Sequence, residues 1–305
     1  MTRIRIPVYF YALAAMVFWG MSFIWTTILL QSYRPVTIIL IRLILSASFL
    51  FSLLLASGKL ERIQRKDLPA LLLSALFNPF LYFLGENYGL KFSTPTLAAV
   101  IIATIPLFSP IVAWLTFRER LGWVNIAGIL LAFGGILVML LGRHFTFAAD
   151  PKGVLFLFGA VVSALFYTVF LKRLTFRYSP MNLIAWQNLI GIILFLPVFL
   201  AVDLRHFLAV APDLKIISSF LFLAILCSSL SFVFFAKSVK ELGISKANIF
   251  SNLIPVFTAI FSFFMLSESF TLLKIAGMLI VIAGVFLSEW NRRRSRYLST
   301  PASGS

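Results

Sequence analysis

The sequence predicts an all-α polytopic membrane protein in which ten transmembrane helices form two inverted five-helix repeats around a central cavity. Three observations carry this reading: a composition that no soluble globule of this size can hide, a stretch of 42 residues that occurs twice, and an uneven division of Lys and Arg between alternate loops.

Hydrophobic residues make up 61% of the 305 positions, charged residues 12%, and mean hydropathy is +1.02. A soluble globule of this length needs a largely polar surface, so the apolar excess has to be covered by lipid. Apolar runs of about 20 residues, each enough to cross about 30 Å of hydrocarbon as a helix, fill nearly the whole chain. No stretch is left for a separate soluble domain.

The duplicated stretch is Leu97 to Val138, which reappears 149 residues later as Lys246 to Leu287. Without a gap it pairs Ala98 with Ala247, Ile105-Pro106 with Ile254-Pro255, Phe108 with Phe257, and Glu119 with Glu268. It continues through Gly128 against Gly277 and Gly135 against Gly284. A proline, an acid and two glycines held in one register argue for duplication, where apolar matches alone do not.

Taken in order, Arg3 and Arg5 precede a first span from Val8 to Leu30, too long for a signal peptide and without a small-residue cleavage site. The second span follows Arg34-Pro35 and runs to Ala56, ended by the polar stretch from Gly58 to Asp67. The third is Leu68 to Leu90, the fourth Leu97 to Phe117, the fifth Trp123 to Leu141. The first repeat is thus residues 8–141, and the polar segment 142–152 is a linker. The second repeat, 153–288, holds spans at Gly153 to Leu174, Pro180 to Val202, Leu214 to Ala236, Ile244 to Leu266 and Leu272 to Ser288. The basic tail, 289–305, is expected to be disordered.

Basic residues near span ends stay on the cytoplasmic side. With the N-terminus inside, the inside segments hold 18 Lys and Arg and the outside segments 7. The expected location is the plasma (inner) membrane with both termini cytoplasmic. The net charge of +16 then reflects topology and contact with anionic headgroups of the lipid bilayer. It predicts no nucleic-acid partner, because the basic residues are scattered over loops.

Five spans per repeat force the second copy to enter the membrane from the opposite side. Such copies are related by a two-fold axis in the membrane plane, the arrangement common to many secondary transporters. Catalysis is the weaker class. His144 and His206 lie in outside loops, Cys227 is the single cysteine, and no HExxH, phosphate loop or paired-acid motif occurs. Neither enzyme activity, metal nor cofactor is expected. A channel is the other alternative, but it ordinarily wants a ring of like residues from repeated subunits.

Span midpoints fall near Trp19, Pro79, Pro106, Ser163 and Pro255, so polar or kinked positions of five spans share the bilayer centre. Polar groups at that depth must face protein or a water-filled space. In the first span Trp19, Ser22, Phe23 and Thr26 share one face; in the third Asn78 and Tyr82 do, with Glu86 a turn further; in the sixth Ser163 stacks with Tyr167. In the ninth Asn248, Ser251, Asn252 and Pro255 form a stripe. Trp19, Ser22, Phe23, Asn78, Tyr82, Ser163, Tyr167, Asn248 and Asn252 are the candidate substrate-binding residues, on a cavity set of helices one, three, four, six, eight and nine. The competing reading is interhelical bonding, preferred for Trp186 and Gln187 and given weight at Ser228 and Ser231. Pro106, Pro110 and Pro255 are candidate hinges, since proline frees a carbonyl and lets a helix bend. Arg42 and Glu86 lie at similar depth and read as a structural pair or mouth residues, with proton coupling as the functional alternative for Glu86. Glu119 and Glu268 read as N-terminal helix caps, and Gly128, Gly135, Gly277 and Gly284 as sites of close helix approach.

With FWGMSF at Phe18 to Phe23, Arg42, and the Pro106/Glu119/Gly128/Gly135 series with its copy, the chain resembles the drug/metabolite transporter superfamily, specifically a protein of two EamA-type units. The resemblance runs from about Tyr11 to Glu289. It implies ten helices around a central cavity and export of amino acids, nucleosides, drugs or other metabolites. Within the superfamily the chain is most similar to aromatic amino acid exporters, which together with Trp19, Phe23, Tyr82 and Tyr167 points to a flat, largely apolar small-molecule substrate and a protein working as a monomer. A broad-specificity exporter of drugs or nucleoside-like metabolites is the runner-up.

Overall fold

The computed structural model describes residues 6–108, 123–140, 150–175, 177–242 and 250–298, and every regular element among them is helical. The helices are α1 (Ile6–Leu30), α2 (Pro35–Ala56), α3 (Leu68–Ala75), α4 (Tyr82–Lys91), α5 (Pro95–Ile102), α6 (Trp123–Leu140), α7 (Pro151–Leu174), α8 (Pro180–Val202), α9 (Leu204–Ala209), α10 (Leu214–Leu221), α11 (Ser231–Leu242), α12 (Ile254–Leu266) and α13 (Leu272–Leu298). Five continuous stretches are long and apolar enough to cross a bilayer: Val8–Leu30, Pro35–Ala56, Arg65–Lys91, Pro180–Val202 and Leu214–Phe235. Five shorter apolar helices fall within the other five predicted spans. Phe10, Leu130, Leu155, Ile193 and Phe264 are each more than half exposed, a surface suited to lipid.

Local chemistry sets the helix starts. Proline occupies the first turn of α2, α5 and α8, where a missing N–H costs nothing. The Thr94 hydroxyl accepts from Leu97 N at 3.4 Å, and the Asp213 carboxylate accepts from Ile216 N at 2.7 Å. Asp150 does the same for Lys152 N at 2.9 Å, which starts the sixth span at Pro151, two residues before the predicted Gly153.

Two predicted spans leave α geometry partway along. The third is α3 and α4 joined by a wide π-type turn, Leu76–Leu81, in which Asn78 leaves helical geometry at φ −145° and the Asn78–Pro79 peptide is cis. The eighth, α10 and α11, is joined by a longer π segment, Phe222–Leu230. The tail departs from expectation as well: α13 continues to Leu298 through the arginine-rich stretch, because Arg is a good helix former and nothing before Pro301 breaks the helix.

Packing settles the relation between the repeats. α6 lies against α13, and a Cβ on Gly135 would sit 2.7 Å from the Gly277 carbonyl oxygen, while one on Gly284 would sit 2.7 Å from that of Gly128. Adding 149 to Gly128 and Gly135 gives Gly277 and Gly284, so the two contacts exchange under the duplication. The number rises along one helix as it falls along the other. Equivalent helices therefore run antiparallel, as an axis in the membrane plane requires and an axis along its normal forbids. The equivalent helices α2 and α8 also touch, and the fourth and ninth spans meet through the first part of one, α5, and the second part of the other, α12.

Candidate functional site

The π segments of the third and eighth spans face each other in the middle of the bundle. Between them lies a cavity lined by Asn78, Pro79, Phe83, Tyr167, Ile184, Gln187, Asn188, Ser228 and Phe232. Its volume of about 20 Å³ is room for roughly one water. The lining combines two amide-bearing helices with aromatic rings. Tyr167 donates to Gln187 Oε1 at 3.3 Å, Gln187 Nε2 to Ser74 Oγ at 3.0 Å, and Asn188 Nδ2 to Ser46 Oγ at 3.0 Å. Ser46 in turn meets Ser229 Oγ at 2.8 Å. These bonds hold polar groups in lipid-depth protein, where an unmet one is costly.

Behind the wall sits a buried charge pair. Arg42 Nη1 and Glu86 Oε1 are 3.8 Å apart, with side chains only 4% and 5% exposed. Arg42 Nε donates to Ser228 Oγ at 2.5 Å, and the guanidinium lies 4.2 Å over the Phe83 ring. Both of those neighbours face the cavity. Tyr82 interacts with the Glu86 carboxyl from one turn below.

Of the candidate substrate residues, Asn78 and Tyr167 line the cavity and Tyr82 joins the charge pair. Ser163 donates to the Phe77 carbonyl at 2.7 Å, a second donor on an oxygen that also accepts the Tyr82 N–H across the π turn. Trp19 stands one ring away, 5.1 Å from Phe232 and 5.1 Å from Phe235. Ser22 donates to the Trp19 carbonyl at 2.6 Å and Phe23 is buried in the core. Asn252 is buried, its Nδ2 without a hydrogen-bond partner among the described residues, and it is not in the lining of this cavity. Asn248, Pro110 and Glu119 lie outside the described residues.

The seventh span supplies Ile184, Gln187 and Asn188, although it was not in the expected cavity set. The adjacent amides Gln187-Asn188 in an apolar helix were the available signal, as was Asn78-Pro79 for the break. Trp186 bonds a loop rather than a helix, Nε1 to the Glu61 carbonyl at 3.1 Å, whereas Gln187 does bond across helices to Ser74. Pro106 and Pro255 follow matching interruptions, turns at Ala103–Thr104 and Asn252–Leu253 closed by Thr104 N to Ile101 O at 3.0 Å and Leu253 N to Phe250 O at 2.8 Å. Glu268 departs from the capping role. Thr271 Oγ1 takes the cap position on Lys274 N at 3.3 Å, while Glu268 accepts from Thr96 Oγ1 at 2.8 Å, from Ser262, and from Lys274 Nζ at 3.3 Å.

At each end of the bundle a loop of one repeat is tied to a helix start of the other. At one end Asp67 Oδ1 meets Arg177 Nη1 at 2.7 Å, Tyr178 donates to Asp67 Oδ2 at 2.9 Å, and Glu61 accepts from Ser179 N at 3.1 Å, the N-cap of α8. At the other, Asp203 Oδ2 accepts from Thr37 N at 3.0 Å and its hydroxyl at 3.1 Å, in the first turn of α2. Arg34 Nη1 stands 4.0 Å from Asp203 Oδ1 and donates to the Val202 carbonyl at 3.0 Å, and Tyr33 reaches the Val210 carbonyl at 3.5 Å. α2 and α8 are equivalent helices, so the two ends are versions of one clamp. An open recess of about 620 Å³ lies at the second end, lined by Arg34, Leu200 to Val202 and Leu204 to His206, outside the clamp. Burial would raise the Asp67 carboxyl, but hydrogen bonds from Arg177 and Tyr178 and the charges of Arg177 and Lys66 outweigh it and hold the pKa below the ordinary value.

The repeats are thus tied at both ends of the bundle, with a small cavity between. Curated relatives are named as transporters. An uncharacterized transporter of Archaeoglobus fulgidus is 28% identical over 88% of this chain and 94% of its own length. The inner membrane transporter YicL of Salmonella typhimurium, also uncharacterized, is 29% identical over 93% and 96%. A probable terminal-alkyne amino-acid exporter of Streptantibioticus cattleyicolor is 29% identical over 82% and 84%. A solved crystal structure superposes with a TM-score of 0.66 over 92% of this chain and 98% of its own, a likeness of fold at 17% identity. The profile of the EamA-like transporter family matches residues 6–141 and again 151–290, and the chain belongs to that family.

Proposed function

We propose that this protein exports a flat, largely apolar amino acid, of the aromatic kind, across the plasma (inner) membrane by alternating access, working as a monomer with both termini in the cytoplasm. The observation that carries the reading is the pair of equivalent clamps on either side of a cavity with room for about one water. Breaking one while the other holds exposes the cavity to one side at a time. The basic loop Lys59, Arg62, Arg65 and Lys66 assigns the Asp67 clamp to the cytoplasmic side. Trp19, Phe83, Tyr167 and Phe232 supply aromatic surface, and Asn78, Gln187, Asn188 and the further candidate Asn252 supply amides to orient a polar head. Pro106 and Pro255 are the hinges of this motion. The name of the Streptantibioticus relative supports an amino-acid substrate.

A second reading takes its support from the uncharged lining. Three amides and aromatic rings also suit the edge and face of a nucleoside-like metabolite. Purified protein in liposomes, loaded with labelled phenylalanine or labelled uridine and challenged with unlabelled solute outside, separates the two. Saturable exchange of phenylalanine supports the amino-acid reading. Saturable exchange of uridine alone supports the second, and efflux that does not saturate returns the channel.

A further inference from the structure

We propose that Arg42 and Glu86 form the receptor for the two charges of a zwitterionic amino-acid head group, the carboxylate binding Arg42 and the ammonium binding Glu86 as the substrate enters between them. The inference rests on the amino-acid reading above and names what that reading leaves open, the residues that recognise the charged end.

The pair is incomplete as it stands. Buried guanidinium and carboxylate groups normally recover their desolvation cost through short, often two-pronged hydrogen bonds at about 2.7–2.9 Å. Here the closest approach is 3.8 Å, and Nη1 of Arg42 has no hydrogen-bond partner among the described residues although it is sealed from solvent. A group that only tied the second span to the third would be expected to close that gap.

Placement points the same way. Arg42 is anchored through Nε by Ser228 and through its flat face by Phe83, which leaves the Nη1 edge free, and both anchors belong to the cavity wall. Glu86 is steadied by Tyr82. Phe83 shares α4 with Glu86, so a turn of its ring, together with a shift of Ser228 on the eighth span, brings the pair to the cavity surface.

Charge balance selects the ligand. A lone anion binding Arg42 would strand Glu86 in lipid-depth protein, and a lone cation would strand Arg42, each a costly unpaired charge. A zwitterion gives each a partner and moves no net charge. Its side chain then points toward Phe83, Tyr167 and Phe232.

The test uses the wild-type protein in liposomes loaded with labelled phenylalanine, with phenylalanine, phenethylamine or 3-phenylpropionate as external competitor. The expected result is that each single-charge analogue competes at least about tenfold more weakly than phenylalanine. Competition by either analogue within about twofold of phenylalanine overturns the proposal and leaves the pair structural, while amino-acid export stands. Absence of any phenylalanine exchange overturns the amino-acid reading and this proposal with it. Glu86→Gln, checked for folding by its melting curve, should bring 3-phenylpropionate to within about threefold of phenylalanine, and Arg42→Gln should do so for phenethylamine. Unchanged selectivity in folded variants also overturns the proposal.

Discussion

Gly135 and Gly277 face each other so closely that a methyl group on either would sit 2.7 and 2.6 Å respectively from the other's carbonyl oxygen. The contact joins the last span of one repeat to the last span of the other, and it is backbone on backbone, with nothing flexible to yield. Gly134, one position away, has nothing within 4 Å of an added Cβ. The neighbours therefore predict opposite outcomes. Gly135→Ala should destabilise by about 1–3 kcal/mol through overpacking, and Gly277→Ala likewise. Gly134→Ala should be neutral or stabilise by up to about 1 kcal/mol from helix propensity. Melting curves in detergent decide it: equal shifts for the two neighbours would mean the helices do not meet along this seam.

How far the sequence alone reaches is seen at these glycines. Their spacing and repetition survive in the chain as a pattern, so the inverted pairing of α6 and α13 was readable before any coordinates. The Arg42–Glu86 pairing was readable from depth alone. The cavity was less so. Trp19, Ser22 and Phe23 share a helical face as expected, but a face shared along one helix does not say which neighbour it meets, and Phe232 stands between Trp19 and the cavity. Gln187 reads as packing and Asn188 draws no assignment from the sequence, because nothing local marks a helix as lining. The clamps were unreadable, since Asp203 with Thr37 and Asp67 with Arg177 join residues more than 100 positions apart.

The Asp67 clamp makes a prediction about access. Asp67→Asn weakens the bonds to Arg177 and Tyr178, which are exposed enough to be screened by solvent. A cysteine at position 78, in a Cys227→Ser background, should then react about three- to fivefold faster with an impermeant thiol reagent applied from the Asp67 side. The same reagent from the Asp203 side should react no faster. An equal increase from both sides would indicate loosening of the whole fold rather than release of one clamp.

The same carboxylate sets a pH window. Its pKa in the folded protein lies below the unfolded value, so the stabilisation it adds is fully present above about pH 4 and is lost only as pH falls through the lower, folded value. Between pH 5 and 8 the wild-type rate of labelling at position 78 from the Asp67 side should therefore be flat once the reagent's own pH dependence is divided out. A rise centred in that range would assign control of this clamp to some other titrating group.

Ser163 offers a test of the broken third span. Its hydroxyl gives the Phe77 carbonyl a second donor beside the Tyr82 N–H, at the edge of the non-helical geometry at Asn78. Ser163→Ala leaves that oxygen with the Tyr82 N–H alone and should cost about 0.5–1.5 kcal/mol in melting experiments. Ser163→Thr keeps the donor and should retain most of the stability. If alanine costs no more than threonine, the Tyr82 N–H suffices for the carbonyl and the serine is free to serve substrate instead.

The matching turns before Pro106 and Pro255 bear on rate. Each proline lacks the N–H that would bond the carbonyl four residues back, Ile102 in one case and Ser251 in the other, so the helix cannot run through Ala103–Thr104 or Asn252–Leu253. Alternating access asks these two helices, which pack on each other as α5 and α12, to change angle in opposite senses. Pro106→Ala and Pro255→Ala supply the missing donors and favour straight helices. Each should slow exchange several-fold at saturating substrate while the melting temperature holds or rises, and the double variant should be slower than either. If stability falls along with rate, the prolines serve packing and the bend lies elsewhere. A rise in KM at unchanged maximal rate would place them at the substrate instead.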